Sequence, residues 1–352
     1  ASGFCLAAAS ASAAHARRGQ GCRMRAGRAE LLLGSASQPR RQLLTEAGLR
    51  FEVRRPDIDE KGLGDRAGDP EKLVRQLAEA KADALLPTLE GEQRLLLTAD
   101  QVVTFRGAIR EKPKDLAEAE AFLRSYAGDC CRTVGALCLH DAAADLRMVG
   151  TQKAEVHFAP ELAEEDVLRG ILSEEVLNCA GALMVEHPVV QENVEKVEGG
   201  LDSVMGLSLQ LLEDLQERLE AWRGRLARFG PVLGRPLRRW AVVGDVLNPA
   251  KPAARVARRL EEAGRTVLKV SPYDKTGACF GKLEDVPEVD ALNLIISPKL
   301  GEEVLEDAKK LGIRYVFIQP GADAEFVVRR AESLGLTVQC GCVLVSDLPP
   351  LD

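Results

Sequence analysis

The chain has 352 residues, of which 46% are hydrophobic and 29% charged, and its formal net charge is -7 at pH 7. This length favours two domains over one core, and the acidic balance argues against a nucleic-acid partner. No apolar run is long enough to cross a bilayer, so we expect no membrane partner. The nine cysteines include no Cys-x-x-Cys pair, which is typical of reduced intracellular thiols, and Cys340 and Cys342 lack neighbouring zinc ligands.

Residues 1–29 differ in composition from everything after them. They are rich in Ala, Ser and Gly, carry five arginines from Arg17 to Arg28 and contain no acidic residue. This composition predicts either a transit-like segment or a disordered tail of an incomplete gene product. The corresponding locations are plastid or mitochondrial in the first case, and cytoplasmic in the second.

The next segment predicts an α/β domain over residues 30–228. Leu31–Leu33 reads as a buried strand ended by Gly34, and Pro39 fits the first turn of a following helix. Asp69 with Pro70 begins a helix that carries Lys81, and Asp115 with Glu118 forms a capping-box pattern. Further strands are predicted from Phe51 and over 95–103, 133–139 and 154–158, and further helices through Tyr126 and over 161–172 and 209–228.

Gly230-Pro231 and Gly234-Arg235-Pro236 predict a linker over 229–237. Beyond it, strands alternate with helices through residues 238–352, which predicts a doubly wound parallel sheet of Rossmann type. The strands are predicted over 240–243, 266–270, 291–296, 315–318 and 337–345, and the helices over 252–263, 302–311 and 324–334.

Arg40 and Arg41 lie in the first turn of the first predicted helix. Free N–H groups and the macrodipole make that turn positive, so two arginines there favour a bound anion over two solvated side chains. Other charged residues also end strands or helices, namely Glu60, Lys81, Asp100 and Lys112. Four cations and two carboxylates suit a nucleoside triphosphate with Mg²⁺ or Mn²⁺, although sequence spacing leaves scattered surface charges as the alternative.

Several motifs occur in the order found in the Maf family of nucleoside triphosphate pyrophosphatases, which residues 30–218 resemble. The motifs are Gly34-Ser35-Ala36-Ser37-Gln38-Pro39-Arg40-Arg41, Asp57-Ile58-Asp59-Glu60, Leu77-Ala78-Glu79-Ala80-Lys81-Ala82, Ala99-Asp100-Gln101-Val102, Glu111-Lys112-Pro113, Cys179-Ala180-Gly181 and Val204-Met205-Gly206-Leu207. The resemblance implies a two-lobed α/β fold related to inosine triphosphatases. It also implies hydrolysis to a nucleoside monophosphate and pyrophosphate, and possible dimers.

The resemblance implies a role for each matching residue. Asp100 is expected to be the general base and, with Glu60, a metal ligand. The phosphate contacts implied by position are Ser35, Arg40, Arg41, Lys81 and Lys112.

Two of the positions that match the family concern recognition of the nucleobase. The subgroup that favours 7-methyl-GTP has Gln after the catalytic Asp and Glu seven residues after the Cys, which Gln101 and Glu186 match. A carboxylate suits a cationic N7-methylated guanine. The dTTP/UTP subgroup instead has Thr and Gln, and this chain departs from the first subgroup at Pro39, His187 and Ser208. We therefore predict a 7-methyl-GTP-like substrate, with dTTP or UTP as the alternative.

Residues 238–347 resemble the small CoA-binding domain family. Gly244, Asn248 and Pro249 follow the first strand, and Lys251 and Arg255 begin the next helix, where phosphates could bind. NAD is disfavoured because the Gly-x-Gly-x-x-Gly set and an acid after the second strand are both missing. Since no catalytic set is visible, the alternatives are a CoA site and a structural module. For the whole chain, the alternative to an enzyme is a non-catalytic nucleotide or CoA sensor that regulates division.

Overall fold

The computed structural model describes residues 30–351, so the predicted transit-like segment over 1–29 lies outside the described residues. Contacts divide the chain into two compact units, one ending at Leu219 and the other beginning at Glu220. This division falls within a helix, before the predicted linker at 229–237, and the linker stays a prediction. Within residues 30–351, no helix combines the length and apolar character that a bilayer crossing requires.

The first unit is built on a seven-stranded mixed sheet. Its strands are β1 (Leu31–Gly34), β2 (Phe51–Val53), β3 (Leu95–Phe105), β4 (Ala108–Arg110), β5 (Cys130–Asp141), β6 (Leu146–Phe158) and β7 (Val194–Glu198). The order is β2-β1-β3-β5-β6-β7, with β4 paired to β3. Strand β1 is parallel to β2 and β3, and the other pairs are antiparallel.

The helices that lie in this unit are α1 (Gln38–Glu46), α2 (Pro70–Leu85), α3 (Leu116–Tyr126), α4 (Glu165–Ile171), α5 (Pro188–Glu192) and α6 (Leu201–Val204), and α7 (Leu209–Phe229) begins in it and ends in the second unit. Helices α2 and α3 begin at the side-chain caps that the sequence predicts. The Asp69 carboxylate accepts from the backbone N–H of Glu71, and that of Asp115 accepts from Glu118 N. The predicted capping box is only half formed, because the Glu118 carboxylate accepts from Lys114 N rather than from the Asp115 backbone.

Two hydrophobic clusters support the sheet of the first unit. One packs α2 against β1, β3 and β5, through Leu73, Leu77, Leu96 and Val134 among others. The other contains Tyr126, Val156 and Phe158. Strand β5 extends beyond both ends of the predicted 133–139, and β6 begins at Leu146 instead of Ala154. The helix predicted over 161–172 is instead a 3₁₀ turn, Pro160–Ala163, followed by α4.

The second unit contains a five-stranded, all-parallel sheet, which with the mixed sheet confirms the predicted α/β class and the Rossmann-like second half. Its strands are β8 (Arg239–Gly244), β9 (Thr266–Val270), β10 (Ala291–Ile295), β11 (Tyr315–Ile318) and β12 (Thr337–Cys340), in the order β12-β11-β10-β8-β9. Its helices are α8 (Pro252–Glu262), α9 (Pro298–Lys310) and α10 (Glu325–Ser333). Helix α9 begins four residues before the predicted start, at a proline that fits a first turn, and β12 ends earlier than predicted.

Candidate active site

Helix α2 and strand β3 bring Lys81 and Asp100 together. Ala78 and Lys81 lie three residues apart on one face of α2, while Thr98 and Asp100 lie two apart on one side of β3. The Thr98 hydroxyl donates to the Ala78 carbonyl at 2.6 Å and so fixes the helix against the strand. One turn further along α2, Lys81 Nζ lies 2.6 Å from Asp100 Oδ1, and both side chains are about 10% exposed.

Glu60 joins this pair from the 3₁₀ turn Glu60–Gly62. Its Oε2 lies 3.1 Å from Lys81 Nζ, and its side chain is 46% exposed. The single ammonium group therefore lies between two carboxylates, one buried and one open to solvent. Since carboxylate oxygens are the ligands that Mg²⁺ and Mn²⁺ prefer, the donor set of Glu60 and Asp100 fits the predicted divalent metal.

Arg40 comes from the first turn of α1 and is buried. Its Nε donates to the Gly206 carbonyl at 3.0 Å, and its Nη1 donates to the Ala99 carbonyl at 3.0 Å and to Ser35 Oγ at 3.2 Å. Burial lowers the pKa of Arg40, while Asp100 and Glu60 oppose that shift. Two of its three guanidinium nitrogens are thus engaged by the protein, so Arg40 also clamps three segments together.

Ser35 lies directly after β1, where Gly34 pairs in register with Thr98. A Cβ on Gly34 would lie 2.6 Å from both Leu85 Cδ1 and Thr98 Cγ2, so a larger residue there would force these buried side chains to move. The Ser35 hydroxyl accepts from the backbone N–H of Ser37 at 3.2 Å, which shapes the turn before α1. This close packing places Ser35 beside β3, the strand that carries Asp100.

Burial also acts on Asp100 itself. Desolvation raises the pKa of its carboxyl group, while the positive charges of Lys81 and Arg40 oppose the rise. An aspartate poised in this way can take a proton from water more readily than an exposed one. The geometry therefore brings together Ser35, Arg40, Glu60, Lys81 and Asp100.

Gln101 and Arg41 each have an atom shielded from solvent without a hydrogen-bond partner in the described chain. These atoms are Gln101 Oε1 and Arg41 Nε. The other side-chain end of Gln101 is fixed, since its Nε2 donates to the Val204 carbonyl at 2.8 Å. Unpaired buried polar groups are costly, so both atoms suit a ligand that supplies a partner.

Lys112 and Glu186 form a second group around Cys179. Burial raises the pKa of the Cys179 thiol to about 11, the negative charge of Glu186 adds to the rise and Lys112 opposes it. Lys112 is exposed, and it forms no ion pair with Asp100 in the part of the chain that the structure describes. Burial raises the pKa of Glu186 as well, while a backbone hydrogen bond to its carboxylate opposes that shift.

Arg66 connects the two groups and was missed by the sequence analysis. Its guanidinium donates to the Glu60 carbonyl at 2.7 Å and forms an ion pair with Glu111 at 3.3 Å. The carbonyl of Glu111 in turn accepts from Gly181 N at 2.8 Å, in the Cys179 loop. No local motif marks Arg66, because its role depends on segments that are distant in sequence.

In the second unit, the carboxyl ends of β8 and β9 border an open groove of about 400 Å³. Of the five residues predicted to bind CoA, only Asn248 lines it, beside the carboxylates of Asp245 and Asp274. Lys251, Arg255 and Pro249 are exposed outside this lining. Gly244 has a packing role, since a Cβ there would lie 2.4 Å from the Ile295 carbonyl.

Comparison with known proteins agrees with this architecture. The family model described as Maf-like protein matches residues 30–219, more than half of the chain, and the protein belongs to this family. A second family model, described as CoA binding domain, matches residues 238–347. The resemblances stated from the sequence are thereby confirmed.

The matches with curated relatives span nearly the whole length of each relative. A 7-methyl-GTP pyrophosphatase of Dictyostelium discoideum is 31% identical over 53% of this chain and 94% of the relative. A nucleoside triphosphate pyrophosphatase of Nostoc punctiforme is 34% identical over 53% of this chain and 92% of the relative. A dTTP/UTP pyrophosphatase of Treponema denticola is 30% identical over 54% of this chain and 97% of the relative.

Proposed function

We propose that the first unit is a nucleoside triphosphate pyrophosphatase that releases a nucleoside monophosphate and pyrophosphate. The observation that carries the proposal is the Lys81–Asp100 pair, 2.6 Å apart, with buried Arg40 beside it. The names of the family relatives support the same activity.

In this proposal Asp100 takes the proton from the attacking water, and the cations stabilise charge on the phosphates. Lys81, Arg41 and Lys112 hold phosphate oxygens, while Ser35 and Arg40 keep the turn before α1 in place for them. Glu60 and Asp100 would hold a divalent ion, which supplies Lewis-acid stabilisation of the polyphosphate when bound. Because the single ammonium group of Lys81 pairs with both carboxylates, it keeps them close together before substrate arrives.

The base that we favour is 7-methylguanine. Glu186 is partly buried, and desolvation raises the pKa of its carboxyl group. A cationic base would compensate for that burial when the carboxylate is ionised, whereas a neutral pyrimidine would not. The relative named as a 7-methyl-GTP pyrophosphatase supports this choice, and the relative named for dTTP/UTP keeps those nucleotides as the alternative.

The test is pyrophosphate release from a panel of 7-methyl-GTP, GTP, dTTP and UTP with Mg²⁺ or Mn²⁺. Asp100→Asn should lower the rate by roughly 10²–10⁴-fold while nucleotide binding is kept. Asp83→Asn is the matched control, because Asp83 is exposed on α2 and pairs with Arg147. Normal turnover by Asp100→Asn would remove Asp100 from the mechanism, and a preference for dTTP or UTP would overturn the choice of base.

For the second unit we propose that CoA or a related nucleotide binds in the groove beside β8 and β9. The family match supports this, as does the position of the groove at the carboxyl ends of adjacent parallel strands. Among the residues that line the groove, Lys275 carries a positive charge and would form an ion pair with a phosphate group of the ligand. Calorimetric titration with CoA should give binding that Lys275→Ala weakens, and no heat of binding would indicate a structural module.

A further inference from the structure

A set of sulfur, nitrogen and oxygen donors lies on one face of the sheet formed by β5, β6 and β7, apart from the residues of the candidate active site. Cys130 pairs in register with His157, and Glu155 with Glu198. Since side chains two residues apart share a face of a strand, Glu155 and His157 point the same way. Val156 and Phe158, on the opposite face, are buried in the core.

The distances between these donors are close to those of a metal centre. One ligand atom each from Cys130, Glu155 and His157 lie within 4.8 Å of one another. His157 Nε2 lies 3.8 Å from Glu155 Oε2 and 3.7 Å from Glu198 Oε1. Tetrahedral zinc with bonds of about 2.0–2.3 Å separates its ligand atoms by roughly 3.3–3.6 Å, so only small rotamer changes are needed.

The imidazole nitrogen that faces the carboxylates has no hydrogen-bond partner, because both carboxylates lie beyond hydrogen-bond distance. His157 Nε2 is shielded from solvent and has no hydrogen bond within residues 30–351. Glu155 is held from outside, because Arg132 bonds its Oε1, whereas Lys196 donates at 2.6 Å to the same Glu198 Oε1 that lies 3.7 Å from His157 Nε2. Glu155 therefore keeps Oε2 directed toward His157, as outer partners do when they orient metal ligands.

We propose that Cys130, Glu155 and His157 form a binding site for a divalent transition metal of the zinc class, and that Glu198 becomes the fourth ligand when its Oε1 exchanges Lys196 for the ion. A thiolate and an imidazole select Zn²⁺ over Mg²⁺, and the carboxylates complete a tetrahedral set. An open groove of about 440 Å³ lined by Arg132, Glu155 and Glu198 gives the ion a path of entry. With four protein ligands the site is structural, and it would fasten edge strand β7 to the sheet.

The test uses the full chain, stripped with a chelator and then saturated with Mg²⁺ so that carboxylate-only sites are filled. Titration with Co²⁺ should produce a thiolate-to-metal charge-transfer band that saturates at one equivalent. Added Zn²⁺ should then displace Co²⁺ and remove the band. Cys130→Ser should abolish the band and lower zinc affinity more than about 100-fold, since even outer-shell partners contribute 10–100-fold. Cys279→Ser, at another partly buried cysteine, should leave the absorption band and the zinc affinity unchanged.

A second variant keeps the proposal testable if Cys130→Ser does not fold. His157→Gln changes a partly exposed side chain, so we expect it to fold and to lose most of the zinc affinity and of the zinc-induced rise in Tm. The proposal is overturned if wild type gives no thiolate band, or if Cys130→Ser keeps it.

Discussion

Lys81 determines the electrostatics of the candidate active site because its ammonium group lies between Asp100 and Glu60, at 2.6 and 3.1 Å. Desolvation favours the protonated form of Asp100, and Lys81 is the strongest of the opposing charges. The ionised fraction of Asp100 falls as the pH falls through its raised pKa. Activity should therefore decline on the acid side at a higher pH than an exposed aspartate would give.

Replacing Lys81 should shift the pH at which activity declines on the acid side, the acid limb of the pH profile. In Lys81→Met the opposing charge is lost, so the pKa of Asp100 rises further and the acid limb of kcat/KM shifts upward by about 1–3 pH units. The measurement is the pH profile of kcat/KM for pyrophosphate release. Lys72→Met, at an exposed position of the same helix, should keep the wild-type profile. An unmoved limb in Lys81→Met would mean that another group titrates.

At the scale of elements, hairpin β3–β4 is anchored to α3 through one arginine. The Arg110 guanidinium lies 4.5–4.8 Å from the ring centroids of Phe105, Phe122 and Tyr126 and donates to Ser125 Oγ at 2.7 Å. The hydroxyl of Tyr126 also donates to the Gly181 carbonyl at 3.0 Å. The chain that leads to Lys112 is thus positioned by aromatic packing behind it.

Arg110→Met should keep much of the packing but lose the cation–π contacts and the hydrogen bond. We expect the free energy of unfolding to fall by about 1–3 kcal/mol, with a higher KM because the Lys112 segment loosens. Arg106→Met is the control, since Arg106 also lies over Phe105, at 5.0 Å, but is 75% exposed. Urea unfolding followed by circular dichroism measures both variants, and equal losses would argue against the anchoring role.

At the scale of the whole molecule, each unit has its own sheet and its own buried clusters. The second unit packs Trp240 and Phe317 in one cluster and Leu294 and Ile318 in another, on the two sides of its parallel sheet. Separate cores of this kind predict separate cooperative unfolding transitions.

Calorimetry of the full chain should therefore resolve two transitions that respond to different ligands. A non-hydrolysable nucleoside triphosphate with Mg²⁺, at 100 times its Kd, stabilises its unit by about 2.7 kcal/mol, or roughly 5–10 °C in Tm. CoA should move only the other transition. A single transition raised by both ligands would contradict independent units.

The sequence by itself determined the elements with strong local signals. Pro39, Asp69, Asp115 and the run at 31–34 marked helix starts and the first strand because caps and buried runs act over a few residues. Ordered motifs also determined the family and the α/β class. Strand β7 was missed, since its charged edge sequence lacks an apolar alternation.

Only the tertiary structure decided which side chains meet. Arg40 proved to bond Gly206, 166 residues away, and Arg66 to join the Glu60 and Glu111 segments. The donors around His157 come from three strands paired in register, a relation that no local spacing encodes. Local chemistry fixes the elements, but strand pairing and helix packing bring distant side chains within bonding distance, and those contacts exist only in the folded chain.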